Sequence, residues 1–92
     1  MSEIVNYRII VHGRVQGVGY RYSALNMAKH LSLSGYVKNL SSGAVQLEIE
    51  GPFTAAQQMI AWCKSGPGTG YVDDVELNQR EVKHYSSFEV RY

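Results

Sequence analysis

Between residues 4 and 12 apolar side chains fall on alternate positions, with Val5, Tyr7, Ile9 and Val11 facing one way and Asn6, Arg8 and His12 the other. A period of two marks a strand buried on one face, and Ile4 and Ile10 only blur the second face. Beyond Gly13–Gly19 the period lengthens. Ala24, Leu25, Ala28 and Leu31 recur at helical spacing among good helix formers, which predicts a helix from about Tyr20 to Leu33, stopped by Ser34-Gly35. Tyr36–Ser41 and Ala44–Glu50 flank Ser42-Gly43, whose glycine suits a tight hairpin, so two more strands follow. In the second of them Val45, Leu47 and Ile49 alternate with Gln46, Glu48 and Glu50, the pattern of one buried and one wet face, and Gly51-Pro52 breaks the strand. Thr54 with Gln57 reads as a capping box, and Ala56, Met59, Ile60 and Cys63 then place a helix over roughly 55–65. A Gly-rich loop at 65–70 leads to a strand near 71–80. The tail alternates again, with Phe88, Val90 and Tyr92 on one side, and is expected to dock as a short fifth strand.

The order β-α-β-β-α-β with right-handed crossovers gives an α+β, ferredoxin-like split βαβ fold. It is a two-layer sandwich: an antiparallel sheet in the spatial order 4-1-3-2, two helices on one face and the extra C-terminal strand. At 92 residues the chain is read as one domain, 1–92. Nine basic residues against eight acidic leave a net charge of +1, too little for a protein that coats nucleic acid or an anionic membrane, so charge recognition must be local. The single cysteine, Cys63, excludes an internal disulfide and a cysteine-rich metal site, and fits a reducing compartment. Met1–Ile10 lacks the apolar core of a signal peptide, and no run approaches a membrane span, so the expected location is the cytoplasm.

Chemistry concentrates where the first strand becomes the first helix. Gly13-Arg14-Val15-Gln16-Gly17-Val18-Gly19-Tyr20-Arg21 puts three glycines in seven positions ahead of a helix N-terminus. The first N–H groups of a helix lack internal partners, the dipole adds partial positive charge, and glycines let the preceding backbone aim more N–H groups at one point. Such a concavity binds phosphate. The spacing is neither that of a nucleotide-hydrolase loop nor that of a dinucleotide fold, so neither magnesium nor NAD is implied. Arg21 opposes the helix dipole from the first turn, and its guanidinium suits a phosphate bound through two parallel hydrogen bonds. The alternative is a tight βα turn with a solvated arginine. Asn39, a poor strand residue within Gly35-Tyr36-Val37-Lys38-Asn39-Leu40, carries an amide able to hold a water molecule, or else one satisfied by local backbone.

These two segments, with Gly43-Ala44-Val45, resemble the acylphosphatase family along essentially the whole chain. Tyr20, Tyr36 and Ser42 stand where many members have phenylalanine, tryptophan and aspartate. The resemblance implies metal-free, cofactor-free hydrolysis of the carboxyl-phosphate bond of acyl phosphates. It implies catalysis by Arg21, which binds phosphate, and by Asn39, which orients the attacking water. The phosphate cradle would be the backbone of Arg14, Val15, Gln16, Gly17, Val18 and Gly19, open also to free phosphate or sulfate.

The expected partner is thus a small acyl phosphate, with no nucleic acid or membrane, and the expected state a monomer. His12, His30 and His84 lack metal-ligand spacing, and Asp73-Asp74 point to opposite strand faces. An RNA-binding module on the same fold lacks stacking aromatics on its third strand, where Gln46, Glu48 and Glu50 would repel a phosphate backbone. A non-catalytic anion-binding domain stays open on the glycine loop alone, and the pairing of Arg21 with Asn39 favours the enzyme.

Overall fold

The computed structural model describes residues 3–68 and 70–92. Its elements are β1 (Ile4–Arg14), α1 (Tyr20–His30), β2 (Ser34–Asn39), β3 (Val45–Pro52), α2 (Phe53–Ser65), β4 (Tyr71–Arg80) and β5 (Phe88–Arg91). They form one sheet in the order β4-β1-β3-β2-β5, so the expected 4-1-3-2 arrangement of the first four strands is present. Those four pair antiparallel, but β5 adds parallel to β2, which makes the sheet mixed rather than antiparallel throughout.

Both helices cover one sheet face. Val5, Tyr7, Ile9 and Val11 of β1, Val37 of β2, Val45, Leu47 and Ile49 of β3 and Phe88 of β5 are buried there. Opposite them lie Tyr20, Ala24 and Ala28 of α1 and Ala56, Met59, Ile60 and Cys63 of α2. Alanine at two successive i, i+4 positions brings the α1 backbone close to the sheet, while Leu25 and Leu31 pack at the margin of the core, half-buried. Burial pushes the Cys63 thiol up to about 12, so it stays protonated and serves as a small core residue.

Several boundaries differ from the sequence reading. Helix α1 ends at His30, not Leu33: Ser32 takes the left-handed conformation at φ 58°, Leu33 N–H donates to the Ala28 carbonyl at 2.9 Å and Ser32 N–H to that of Lys29 at 3.1 Å. This is a Schellman ending with serine where glycine is usual. Gly35 therefore belongs to β2, opposite Ile49, where a Cβ would stand 1.8 Å from the Glu48 carbonyl oxygen; it permits close backbone approach and does not stop a helix. Gly51 and Pro52 continue β3 rather than break it, because Ile4 and Val5 still pair with them. Thr54 forms no capping box. It lies inside α2, whose N-cap is Pro52 without a side-chain cap, while Phe53 N–H donates to the Glu3 carbonyl at 2.9 Å.

The largest correction concerns the outer sheet face. Glu48 and Glu50, expected in water, are only 3 % and 4 % exposed. Residues 81–87, which form no regular element, cross over them on the way from β4 to β5. Lys83 Nζ lies 2.7 Å from the Glu48 carboxylate, and the Lys83 and Tyr85 N–H groups donate to Glu50 at 2.6 and 2.8 Å. Buried Asn6 donates its amide to both carboxylates, at 3.1 and 3.0 Å. Burial alone would raise the two carboxyls. Hydrogen bonds from Lys83, Asn6 and Tyr85 to Glu48, and from Asn6 and the 83–85 backbone to Glu50, outweigh it and hold both below the usual carboxylate value.

Candidate active site

The Gly-rich turn leaves β1 at Arg14 and enters α1 at Tyr20. Gly17 and Gly19 have φ of 75° and 79°, a left-handed backbone that any other residue would adopt only under strain, and Gly19 is the N-cap of α1. Its carbonyl receives the first helical bond, from Ser23 at 3.0 Å. Among the described residues, the N–H groups of Gln16, Gly17, Gly19, Tyr20 and Arg21 donate to no backbone carbonyl. The turn carries no acidic side chain to neutralise them, and none stands in the first turn of α1, whose Lys29 and His30 sit where the dipole favours cations, at the far end. Arg21 alone takes the opposite position.

Three side chains fix this turn. Val15 is buried in the core. Tyr20 packs its ring 5.2 Å from that of Trp62 and donates its hydroxyl to the Cys63 carbonyl at 3.0 Å, which ties the start of α1 to the end of α2. That burial pushes the phenol far above its ordinary value, so Tyr20 is a packing residue and no acid. Gln16 reaches sideways, and its amide donates to the carbonyls of Leu40 and Ala44 at 2.7 and 2.8 Å. Those carbonyls belong to the β2–β3 hairpin directly after Asn39, so one side chain couples the turn to the strand end that bears the asparagine. The sequence reading counted Gln16 only for its backbone; a glutamine inside a glycine loop was the available signal.

Around the turn opens a cavity of about 280 Å³ lined by Val15, Gly17, Gly19, Tyr20, Arg21, Tyr22 and Asn39. Five of the expected site residues, Val15, Gly17, Gly19, Arg21 and Asn39, thus meet there. Arg14, Gln16 and Val18 do not line it: Arg14 is exposed and pairs with Tyr71 in the sheet, Gln16 is engaged with the hairpin and Val18 packs against the core. Asn39, at the end of β2 opposite Val45, is exposed to solvent. Two tyrosines stand together here: Tyr22, which lines the cavity, and Tyr92, which the sequence reading placed only in the last strand and which lies beside Arg21. Tyr92 places its ring 4.8 Å from the Arg21 guanidinium carbon, and its hydroxyl lies 3.3 Å from that of Tyr22. A larger depression elsewhere, about 650 Å³ beside Gln79, Arg80, Glu81 and Lys83, is shallow and carries none of these residues.

Comparison with known proteins now decides the family. The model of the acylphosphatase family matches residues 7–90. The chain belongs to the acylphosphatase family. The acylphosphatase of Trichormus variabilis is 39% identical over 90 residues, covering 98% of this chain and 89% of that protein. The crystal structure of the acylphosphatase from Bacillus subtilis superposes with a TM-score of 0.92 at 38% identity, covering 96% of this chain and 99% of that one. Full-length HypF, solved in its phosphate- and nucleotide-bound form, contains a similar unit: TM-score 0.92, 32% identity, all of this chain against 12% of that one. As an acylphosphatase, the protein hydrolyses acyl phosphates to a carboxylate and inorganic phosphate, and the sequence resemblance is borne out on family, fold and reaction. Among the described residues no group of acidic, histidine or cysteine side chains is arranged to hold a metal, and no helix is long and apolar enough to cross a membrane.

Proposed function

We propose that Arg21, Asn39 and the amides of the Gly17–Gly19 turn carry the acylphosphatase reaction without a metal ion. One observation supports this most: a single cavity unites a guanidinium, a side-chain amide and two glycines, Gly17 and Gly19, whose N–H groups have no backbone acceptor among the described residues. A phosphoryl group in the cavity meets those amides on one side and the planar donor fork of Arg21 on another, so charge on its equatorial oxygens is neutralised as it grows. Asn39 holds a water molecule for in-line attack on phosphorus. The P–O bond to the acyl oxygen breaks as the new P–O bond forms, the leaving group departs with the electron pair as a carboxylate, and the water proton passes to a phosphate oxygen. Since the conjugate acid of the leaving group has a pKa near ~4, no general acid is required.

We further propose that the protein acts as a monomer, and in a reducing, cytoplasmic setting, to which the lone buried Cys63 is suited. Sedimentation of a dimer in place of a monomer would contradict the first of these. The reaction itself is tested by hydrolysis of benzoyl and acetyl phosphate in excess chelator with wild type, Arg21→Ala and Asn39→Ala. Metal-independent turnover, lost in both variants while the circular dichroism spectrum is kept, is the expected result. Turnover that stops in chelator, or that survives in either variant, overturns the assignment.

A further inference from the structure

An arginine that waits for a phosphate has to be held without being neutralised. A carboxylate beside Arg21 would fix its long side chain, but it would also occupy the planar donor fork and cancel the charge a phosphoryl group needs. No such partner is present: among the described residues the Arg21 side chain makes no ion pair and no hydrogen bond. What it meets is the ring of Tyr92, 4.8 Å from the guanidinium carbon. An aromatic ring attracts a cation through its face and takes none of the in-plane N–H groups, so all five donors remain free.

The ring is placed by the sheet. Strand β5 runs parallel to β2 from the pair Gly35–Phe88 to the pair Lys38–Arg91, and one further step sets Tyr92 beside Asn39. On the helix face of β5 Phe88 is buried and Val90 packs against the core. On the outer face the Arg91 guanidinium carbon lies 4.2 Å from the ring of Tyr36, which is itself buried. Beyond this grip the Tyr92 hydroxyl lies 3.3 Å from that of Tyr22. Tyr92 is 90 % exposed and adds almost nothing to the core, so the contact with Arg21 is not needed to hold the fold.

We propose that Tyr92 is a positioning residue for Arg21, its ring ordering the guanidinium before substrate arrives. The role rests on the cavity being the phosphate site. Freedom lost in advance is not lost again on binding, so the ring strengthens the grip on phosphate. The gain is common to free phosphate, bound substrate and transition state; it therefore lowers KM and leaves kcat unchanged.

The test compares wild type, Tyr92→Ala and Tyr92→Phe by three measurements on the whole chain. These are the Kd for inorganic phosphate from amide titration, kcat and KM for benzoyl phosphate, and the heteronuclear NOE of the Arg21 Nε–H group. In Tyr92→Ala both Kd and KM should rise about three- to fivefold, the range of an exposed cation–π contact, with kcat within about 1.5-fold of wild type and a lower NOE. Tyr92→Phe keeps the ring and should restore all three. Unchanged Kd and KM in Tyr92→Ala overturn the proposal, as does a fall confined to kcat. A rise in KM without one in the phosphate Kd also overturns it, because the ring would then act on the acyl group and not through Arg21. Equal loss in Tyr92→Phe overturns it in favour of the hydroxyl. Wild type that binds no phosphate at the turn would instead remove the functional reading, and this proposal with it.

Discussion

The molecule has two polar clusters, one on each side of a hydrophobic layer, and they are built in opposite ways. Over the outer sheet face, Glu48 and Glu50 are closed off from water and supplied with donors from Asn6, Lys83 and the 83–85 backbone. At the end of β1, the N–H groups of Gln16, Gly17 and Gly19 are donors with no backbone acceptor among the described residues. A buried cluster whose carboxylates are supplied with donors stabilises one conformation, even though the Asn6 Oδ1 at its centre has no partner among the described residues; an accessible set of donors without acceptors costs stability and is completed from outside. The distinction tells which of the two charged sites is structural and which is chemical, although the perturbed carboxyls stand in the outer cluster.

Substitution separates the two clusters most sharply at Arg21. Arg21→Ala should lower kcat/KM by about a thousandfold, roughly 4 kcal/mol of transition-state stabilisation, while thermal stability holds or rises slightly as a first-turn cation is removed. The outer cluster should answer in the other sense. Asn6→Ala leaves two buried carboxylates face to face without the amide between them, and denaturant unfolding should show a loss of about 2–4 kcal/mol with activity per folded molecule retained.

Gln16 joins the chemical cluster to the scaffold, so Gln16→Ala should affect both measurements. Two hairpin carbonyls lose their donor, for about 1–2 kcal/mol in stability, and the weakened link between turn and Asn39 should lower kcat by about tenfold with a smaller change in KM.

Acid stability isolates the outer cluster alone. Both carboxyls lie below the ordinary 4.5 in the folded state, so the unfolded chain binds protons more readily. Their contribution is complete above about pH 4.5 and is lost as the pH falls through the lower folded values. A melting curve across pH 2.5–7 should show this limb in wild type, and Glu48→Gln with Glu50→Gln should flatten it. Lys83, held above its ordinary value first by its hydrogen bond to Glu48, adds a contribution that is lost only at high pH. The smallest effect belongs to neither cluster: Ser32→Gly removes left-handed strain at the end of α1 and should raise stability by up to about 1 kcal/mol.

The chemical cluster was legible in the sequence because its parts are local. A turn, a helix start and a misplaced arginine lie within nine consecutive residues, and the strand order followed from two alternating patterns and one hairpin. The outer cluster was not, because its hydrogen-bonded partners lie 33 to 44 positions apart and its cover has no period to detect. Alternation of Glu48 and Glu50 with Leu47 and Ile49 marks two faces correctly, but it does not say whether the polar face meets water or the chain itself. Tyr92 escaped for the same reason: it alternates with Phe88 and Val90 as a docking strand should, and only the parallel seat of β5 beside β2 brings its ring to Arg21. Ser32 was hidden by a glycine three residues on, which is the commoner residue at a helix end.

The central claim, that unsatisfied amides of the turn and Arg21 together hold a phosphoryl group, is tested most directly by titrating the protein with inorganic phosphate and following backbone amide resonances. The account predicts saturable shifts concentrated at Gly17, Gly19, Tyr20 and Arg21, with a response at Asn39 and none at Lys83 or Tyr85. Shifts gathered instead around Arg80 and Lys83, or a turn that stays silent at saturating phosphate, would contradict it.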